Sequence, residues 1–327
     1  MVKDVRIQVG LLAWHLTDKL VSSNIKLEES LVLNGFWRSG TTWVQQVVSN
    51  ALDAKTVFEP FSVAVPHTHY YLEGLESSLA VERIVKPFMP YVASGAEWPI
   101  ELERIVQQSL HSTLTPYQFT YAGRDSYRES FKNRLVLKFV KGAFLLPAIA
   151  SKFVVPVLHI RRDPRWVVAS ICRQPGWGGG IFEDLSIFEQ LFNIPDGRSN
   201  VFESFQEEVL LADNGSLVEK IVTYWAVTEW YIQQSKEYKN GSIIIVKYED
   251  LVNASEQDWM IVLDKLHLEA KREFSDWEIN KPSFTSRKGN KKTLEKRSKS
   301  YTDILSPADV SLIESVVYRF GLEDALL

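Results

Sequence analysis

The chain has 327 residues, of which 45% are hydrophobic and 12% aromatic, so it can bury a large core. No Pro/Gly/Ser-rich linker or change of composition divides it, and we expect one domain over residues 1–327. Its net charge of −4 argues against nucleic acid as the main partner, because any basic site must then be local.

Two features bear on the compartment. The apolar stretch VGLLAWHL near the start is interrupted by His15, Asp18 and Lys19, and it is far shorter than the roughly 20 residues that a membrane-spanning helix needs. We therefore expect no signal peptide, no anchor and no membrane partner. The single cysteine, Cys172, cannot form an internal disulfide, which fits a reducing compartment and predicts a cytoplasmic protein.

The first predicted unit, residues 31–52, consists of a buried strand, a tight loop and a helix. Its strand is apolar (LVL), and apolar residues recur along its helix at helical spacing. Gly35 and Gly40 bracket four residues as in the phosphate-binding P-loop, but Thr41 stands where the lysine of that motif belongs. The loop therefore suits a phosphate group and is poorly suited to ATP.

An anion site is predicted at this loop. The backbone N–H groups of Ser39, Gly40, Thr41 and Thr42 would point at a ligand from the positive end of the helix. Arg38 adds a mobile cation from the loop itself. In the alternative interpretation, the glycines serve only the geometry of the turn.

Glu59, in VFEPF, stands at the end of a short apolar strand formed by Val57 and Phe58, and Pro60 and Phe61 follow it. Desolvation there would raise its pKa toward the neutral range that a general base requires. It is equally suited to an ion pair with Arg38 or Lys138. His67 and His69, in the next loop, are rival bases, since an unperturbed histidine titrates near pH 6.5. Their spacing also suits a pair of metal ligands, but no cysteine or acidic cluster accompanies them, so we predict no metal.

Two further apolar strands end in basic residues. Lys138 ends the strand in LVLKFVKG, and Arg162 follows a strand predicted over residues 154–160. Ligands of open α/β sheets bind at the carboxyl ends of the strands, so both side chains are candidates for an anion site. Alternatively, each is an ordinary solvated residue at a strand end.

The helix after Arg162 is predicted from its start signals. Asp163 is a suitable N-cap, and Pro164 suits the first helical position. Ser170 then lies about two turns into the helix, so it can share a phosphate with Arg162 only if the helix runs along the ligand. The alternative is a serine on the helix surface.

The layout of strand-helix units predicts an α/β protein: a P-loop-like three-layer fold with a central parallel sheet flanked by helices. Helical insertions at about 60–130 and 174–238 would lie over the strand ends and form the pocket for an acceptor. The glycine-rich segment at residues 175–180 is either a lid hinge or a surface loop. The predicted units cover residues 31–52, 134–152, 154–173 and 242–266.

Three segments together resemble the sulfotransferases, which use 3′-phosphoadenosine 5′-phosphosulfate (PAPS). WRSGTTW is similar to their loop for the 5′-phosphosulfate, and it contains Arg38. VLHIRRDPRWVVAS resembles their strand-loop-helix for the 3′-phosphate, in which Arg162 and Ser170 would bind that phosphate. Lys138 stands where cytosolic sulfotransferases keep a phosphosulfate-binding lysine.

The resemblance also implies the rest of the PAPS pocket. Trp43 matches a tryptophan that stacks on adenine, although core packing explains a tryptophan there equally well. Tyr248, in IVKYEDL, would be an adenine neighbour. Arg287, Lys288 and Gly289 resemble the RKG loop that closes over the 3′-phosphate, whereas basic runs of this kind are usually solvated.

The sequence departs from the cytosolic sulfotransferases at the base. Those enzymes carry a catalytic histidine two residues after the lysine, and this chain has Val140 there. Glu59 resembles the acidic residue of tyrosylprotein and carbohydrate sulfotransferases, which is the proposed proton acceptor in that branch. The resemblance therefore implies a glutamate base.

The expected function is transfer of the sulfuryl group from PAPS to a hydroxyl or amine of a small-molecule or glycan acceptor, without a metal. Adenosine 3′,5′-bisphosphate (PAP) would be the second product. Two alternatives stay open: a P-loop kinase or NTPase, and a nucleotide-binding protein without catalytic activity. The sequence does not determine the acceptor or the oligomeric state.

Overall fold

Five parallel strands form a single sheet in the computed structural model, which describes residues 24–61, 89–111, 132–174, 180–283 and 301–327. Within this part of the chain, the strand order is β2-β3-β1-β4-β5, and every neighbouring pair is parallel. The predicted parallel α/β sheet is confirmed. The strands are β1 (Leu31–Gly35), β2 (Lys55–Phe58), β3 (Leu135–Lys138), β4 (Val157–Arg161) and β5 (Ile243–Lys247).

Helices occupy most of the remaining described chain. Short 3₁₀ segments lie between them, the longest at Val140–Leu145 directly after β3. The α-helices are α1 (Thr41–Ala51), α2 (Ile100–Leu110), α3 (Leu146–Lys152), α4 (Pro164–Cys172), α5 (Gly180–Asp184), α6 (Ile187–Phe192), α7 (Arg198–Phe202), α8 (Gln206–Asp213), α9 (Leu217–Gln234), α10 (Lys236–Lys239), α11 (Tyr248–Val252), α12 (Glu256–Lys265) and α13 (Pro307–Arg319).

The sheet is covered on both faces. Every residue of β1 and β4 is buried, as expected for parallel strands with helices on either side. Successive side chains of a strand point to opposite faces, so Val32 belongs to one core and Leu31 and Leu33 to the other. Helices α4, α9 and α13 cover the first core, and α1, α11 and α12 cover the second. This arrangement confirms the three-layer fold.

Helix α4 begins where the sequence predicted, whereas strand β4 begins later than predicted. The Asp163 side chain accepts a hydrogen bond from the Arg165 amide, and Pro164 is the first helical residue, as predicted. The strand predicted over residues 154–160 instead begins at Val157. Pro156 has no N–H to give to a neighbouring strand, and Val154 is exposed, so pairing starts after the proline.

The predicted insertions are described in part. Residues 180–238 are mostly helical, from α5 to α10, and α2 belongs to the earlier insertion. Residues 62–88 and 112–130 of that insertion and residues 175–179 of the glycine-rich segment lie outside the described residues, so the acceptor pocket and the lid hinge stay predictions. Among the described helices, none combines the length and the apolarity needed to cross a bilayer.

The turn from β1 into α1 depends on two glycines. A Cβ at Gly35 would stand 2.7 Å from the carbonyl oxygen of Ile160, so β4 could not pack as closely against the loop. Gly40 has a φ of +83°, and a Cβ there would overlap the ring of Tyr248. The loop is therefore tight against both β4 and α11.

We expect Gly40→Ala to destabilise the fold by more than its backbone conformation alone requires. The left-handed conformation costs a non-glycine residue about 1 kcal/mol, and overlap with the Tyr248 ring adds about 1 to 3 kcal/mol. Denaturant unfolding of the purified variant measures the sum.

Gly197→Ala is the matched control, because Gly197 has nearly the same φ, +85°, and no heavy atom of the residues that the structure describes lies within 4 Å of the position of its Cβ. Gly197→Ala should lose only the backbone part. Equal losses in the two variants would contradict the close packing of Tyr248 against Gly40.

Candidate active site

The carboxyl ends of the strands meet along one edge of the sheet, and the loop after β1 that is predicted to bind phosphate lies there. Helix α1 begins at Thr41 with Gly40 as its N-cap, and within the described chain no side chain caps it. The first amides of an α-helix have no acceptor inside the helix. The amides at the start of α1 can therefore face an anion at the end of β1, and binding of an anion there stays a prediction. The amide of Ser39, which belongs to the predicted set, instead donates to the carbonyl of Phe36 at 3.1 Å.

Arg38, Arg162 and Ser170 lie together at this edge. The Nε of Arg38 donates a hydrogen bond of 2.9 Å to the hydroxyl of Ser170. The Nη1 of Arg162 donates to the backbone carbonyl of Arg38 at 2.8 Å. Two cations from the loops after β1 and β4 and a hydroxyl from α4 thus converge. The predicted sharing of a phosphate by Arg162 and Ser170 stays a prediction.

Positive charge exceeds negative charge in this cluster. Burial, together with the charges of Arg162 and Arg173, lowers the pKa of Arg38. The carboxylate of Glu249 is 3.8 Å from the Nε of Arg162, beyond hydrogen-bonding distance, and burial raises the pKa of Glu249. The Nε of Arg162 and the hydroxyl of Ser39 are buried without a hydrogen-bond partner among the described residues. These unsatisfied groups and the surplus charge fit a bound anion.

Tyr248 closes one side of the cluster. The guanidinium of Arg162 lies 4.7 Å from the centre of the Tyr248 ring, a cation–π contact. Trp43 approaches the same ring edge-on, with centroids 5.8 Å apart. Trp43 itself is only 2% exposed, and its indole N–H donates to the carbonyl of Ile279. It contributes to the core here, and its contact with adenine stays a prediction.

Glu59 and Lys138 form a buried ion pair at the ends of β2 and β3. The Nζ of Lys138 lies 3.1 Å from Oε1 of Glu59 and donates to the hydroxyl of Thr42 at 2.9 Å. Oε2 of Glu59 accepts a hydrogen bond of 2.9 Å from the Val140 amide. Of the two ion-pair partners considered for Glu59, the structure selects Lys138. Glu59 also adopts a positive φ, 49°, which is uncommon for a residue with a side chain.

The pair connects the phosphate-binding loop to the end of β3. Burial lowers the pKa of Lys138, the charge of Glu59 opposes that effect, and the positive charge of Arg38 adds to it. Burial likewise lowers the pKa of Lys141. The ammonium of Lys138 is therefore held between a carboxylate and the first turn of α1, where it can meet negative charge on a ligand in the loop.

A family model described as the sulfotransferase domain matches residues 28–306. The chain belongs to the sulfotransferase domain family. The solved structures that a structural comparison matches to this chain include the sulfotransferase domain of the olefin synthase from Synechococcus PCC 7002, with 13% identity and a TM-score of 0.39 over 88% of this chain and 94% of that one. No curated protein sequence matches the chain.

Two other structures are similar at the same level. Mouse sulfotransferase SULT7A1 in complex with PAP has 12% identity and a TM-score of 0.39, over 93% of this chain and 88% of that one. Retinol dehydratase in complex with androsterone and inactive cofactor PAP has 13% identity and a TM-score of 0.37, over 96% and 86%. These likenesses are too distant to assign a role to any residue.

Several predicted site residues of this sulfotransferase domain lie outside the described ranges. They are the rival bases and the basic loop, namely His67, His69, Arg287, Lys288 and Gly289, so their roles stay predictions.

In the ranges that the structure describes, no group of three or more histidine, cysteine, aspartate or glutamate side chains is placed to hold a metal ion.

Sequence reasoning missed two polar residues in the central strands of the sulfotransferase domain. Asn34 and His159 are neighbours across β1 and β4, and both are fully buried. Asn34 holds the backbone after β3 through hydrogen bonds to the carbonyls of Phe139 and Val140. A signal was present in the sequence, since a single polar residue interrupts each apolar run, LVLNG and VLHIR.

We expect Glu59→Gln to destabilise the domain by about 3 kcal/mol, because the variant leaves the ammonium of Lys138 buried without its counter-charge. The double variant Glu59→Gln/Lys138→Met removes both charges, and it should recover part of the lost stability. Free energies of unfolding from denaturant titration measure both effects.

Glu28→Gln is the control for loss of an acidic side chain, because Glu28 is exposed. It should change stability by less than about 0.5 kcal/mol. If Glu59→Gln were as stable as this control, the ion pair with Lys138 would have no structural role.

Proposed function

We propose that this sulfotransferase domain transfers the sulfuryl group of PAPS to a hydroxyl or amine of a small-molecule or glycan acceptor and releases PAP. The observation that carries the proposal is the convergence of Arg38, Arg162 and Ser170 beside an uncapped helix start. PAPS carries negative charge at both its 3′-phosphate and its 5′-phosphosulfate. A site with a surplus of buried positive charge suits such a ligand.

Each part of PAPS has candidate partners in this arrangement. Arg162 and Ser170 would bind the 3′-phosphate, with the unsatisfied Nε of Arg162 as one donor. The loop amides, Arg38 and Lys138 would bind the 5′-phosphosulfate. Arg38 now donates to Ser170, and it would exchange that contact for phosphate oxygens.

The remaining contacts of the pocket follow from the family resemblance. Trp43 and Tyr248 would lie beside the adenine. Arg287, Lys288 and Gly289 would close over the 3′-phosphate. Tyr248 has the stronger structural support, since its ring already contacts both Arg162 and the loop glycine, Gly40.

The chemistry is an in-line displacement at sulfur. The acceptor oxygen or nitrogen forms a bond to sulfur, the bond from sulfur to the bridging oxygen breaks, and its electron pair stays on the phosphate of PAP. Like phosphoryl transfer, this step depends on positioning and on stabilisation of charge. Arg38, Lys138 and the loop amides would stabilise the charge that develops on the leaving oxygen.

Glu59 is the proposed proton acceptor, with His67 and His69 as rivals. The ion pair places the Glu59 carboxylate beside the Lys138 ammonium. When Glu59 takes the proton of the acceptor, its hold on Lys138 weakens. The ammonium is then available to the leaving oxygen at the moment when charge develops there. One proton transfer would thus couple the base to the cation.

The proposed setting is the cytoplasm, with a small-molecule or glycan acceptor, no nucleic acid partner and no membrane partner. Its support is the single cysteine and the local character of the positive charge in a chain of net charge −4. The acceptor would enter over the strand ends, where the predicted insertions lie.

Calorimetric titration of the purified protein with PAP, with 5′-AMP and with ATP plus Mg²⁺ tests the nucleotide pocket. We expect PAP to bind more tightly than 5′-AMP, since only PAP carries the 3′-phosphate. Arg162→Ala should weaken PAP binding by about 10- to 100-fold, the value of a charge-assisted hydrogen bond. It should change the affinity for 5′-AMP much less.

Arg319→Ala is the matched control, because Arg319 is an exposed arginine on the last turn of α13. Its affinity for PAP should equal that of the wild type. A preference for ATP with Mg²⁺ would overturn the proposal and favour a P-loop kinase or NTPase.

Measuring turnover together with PAP affinity distinguishes an effect on binding from an effect on the chemical step. Against a panel of hydroxyl and amine acceptors, we expect Arg38→Ala and Glu59→Gln each to reduce PAP release by at least about 10²-fold. Arg38→Ala should also weaken binding of PAP, whereas Glu59→Gln should not weaken it, because the carboxylate does not contact the nucleotide.

Near wild-type turnover in Glu59→Gln would show that Glu59 is not the base and would leave His67 and His69. Tight binding of PAP without transfer to any acceptor would favour the nucleotide-binding protein without catalytic activity. Glu28→Gln again serves as the control for a change of charge on the surface.

A further inference from the structure

A chain of polar side chains, buried except for its last member Asp324, extends from the end of β3 across the sheet to the 3₁₀ segment at residues 323–325. Three of its members are fully buried and a fourth is 3% exposed, so each needs a specific partner. The members are Asn34 on β1, His159 and Arg161 on β4, Glu229 on α9 and Asp324 in the 3₁₀ segment at residues 323–325.

The amide of Asn34 has one possible orientation. Its Nδ2 donates to the backbone carbonyls of Phe139 and, at 3.4 Å, of Val140. Carbonyl oxygens only accept hydrogen bonds, so the NH₂ group must face them. The Oδ1 of Asn34 therefore faces the other way, 2.9 Å from Nδ1 of His159.

His159 lies between two acceptors. Its Nδ1 faces Oδ1 of Asn34, and its Nε2 lies 3.0 Å from both carboxylate oxygens of Glu229. Neither acceptor has a hydrogen to give when Glu229 is ionised. With Glu229 ionised, hydrogen bonds on both sides of the ring require a hydrogen on each ring nitrogen of His159, which is the imidazolium form.

The charges around His159 balance. Glu229 also accepts from the Nε of Arg161 at 2.9 Å, and Nη1 of Arg161 lies 3.0 Å from Oδ2 of Asp324. Burial alone would raise the pKa of Glu229, but the charges and hydrogen bonds of His159 and Arg161 outweigh burial and lower it. Two cations thus meet two carboxylates, and the remaining Nη2 of Arg161 donates to Gln233. A buried imidazolium at His159 would thus have the Glu229 carboxylate as its counter-charge.

The chain of polar side chains ends at the Val140 peptide, which holds Glu59. The Val140 amide donates to Oε2 of Glu59, and the Val140 carbonyl accepts from Asn34. Glu59 in turn is paired with Lys138 through its other oxygen. The position of the carboxylate therefore depends on the segment after β3, which Asn34 holds from the opposite side.

We propose that His159, held as an imidazolium between Asn34 and Glu229, is a positioning residue for the Glu59–Lys138 pair. It acts through Asn34 and the Val140 peptide. The proposal rests on the proposed function only where it concerns turnover, since the protonation state and the hold on Val140 are properties of the protein alone.

A neutral imidazole at His159 would not donate a hydrogen bond to both of its neighbours. It carries one hydrogen, so either Oδ1 of Asn34 or the Glu229 carboxylate would face a ring lone pair. Asn34 cannot rotate its amide to compensate, because its NH₂ would leave the carbonyls of Phe139 and Val140. The hold on Val140 therefore depends on the second ring hydrogen of His159.

Nitrogen NMR of the wild-type protein with labelled histidine tests the first part. At about pH 7.5, where a free imidazole is mostly neutral, both ring nitrogens of His159 should show a directly bonded hydrogen. A ring with one unprotonated nitrogen would overturn the proposal. This measurement needs neither an acceptor nor a variant that must fold.

His159→Gln tests the second part, with His111→Gln as the matched control at a histidine outside the chain of polar residues. We expect the Val140 amide to exchange with solvent at least about 10-fold faster in His159→Gln than in the control, because Val140 is no longer held at its carbonyl. Unchanged exchange at Val140 would overturn the positioning role.

Turnover distinguishes positioning from a general structural role. A carboxylate misplaced by about 1 Å costs on the order of 10²-fold in rate, so His159→Gln should lower kcat to that extent and leave the affinity for PAP within about threefold. Equal losses in kcat and PAP affinity would indicate partial unfolding and overturn the proposal. If the wild type transferred no sulfuryl group, the proposed function would fail, and the NMR and exchange results would still decide the role of His159.

Discussion

The close packing of β1 between β3 and β4 is the constraint on which the active site depends. Because all the strands are parallel, their carboxyl ends bring together residues from distant parts of the chain. Gly35 lets β1 turn into its loop directly against the carbonyl of Ile160. With a side chain there, β4 would be displaced, and Arg162 would no longer reach the carbonyl of Arg38.

Two different electrostatic environments lie side by side along this edge. Around Arg38 and Arg162, like charges are half-buried side by side, and two polar groups have no hydrogen-bond partner among the described residues, an arrangement that favours an anion. Around Glu59 and Lys138, opposite charges already satisfy each other. The first environment suits binding, and the second suits a proton transfer that changes the balance of a buried pair. The Thr42 hydroxyl connects them, since it accepts from Lys138 in the first turn of α1.

Local sequence patterns predicted much of this arrangement. The apolar run before Gly35, the N-cap Asp163 and Pro164 act over a few residues, and the structure confirms the elements they predicted. The partner of Glu59 was left open between Arg38 and Lys138, because the register of β2 against β3 brings Phe58 opposite Lys138 and local patterns do not report that register. Asn34 and His159 were missed, since a single polar residue in an apolar strand has no local explanation.

The sequence by itself determined that apolar strands precede a glycine-bounded loop and a capped helix, and that basic residues stand at the strand ends, because each of these follows from hydrophobic periodicity, glycine conformation or capping among near neighbours. Only the tertiary structure decided which of those residues meet. Arg38 reaches Ser170 across 132 positions of the chain, and His159 reaches Glu229 across 70. Such contacts depend on strand order and on how helices cover the sheet, which are properties of the whole packed core.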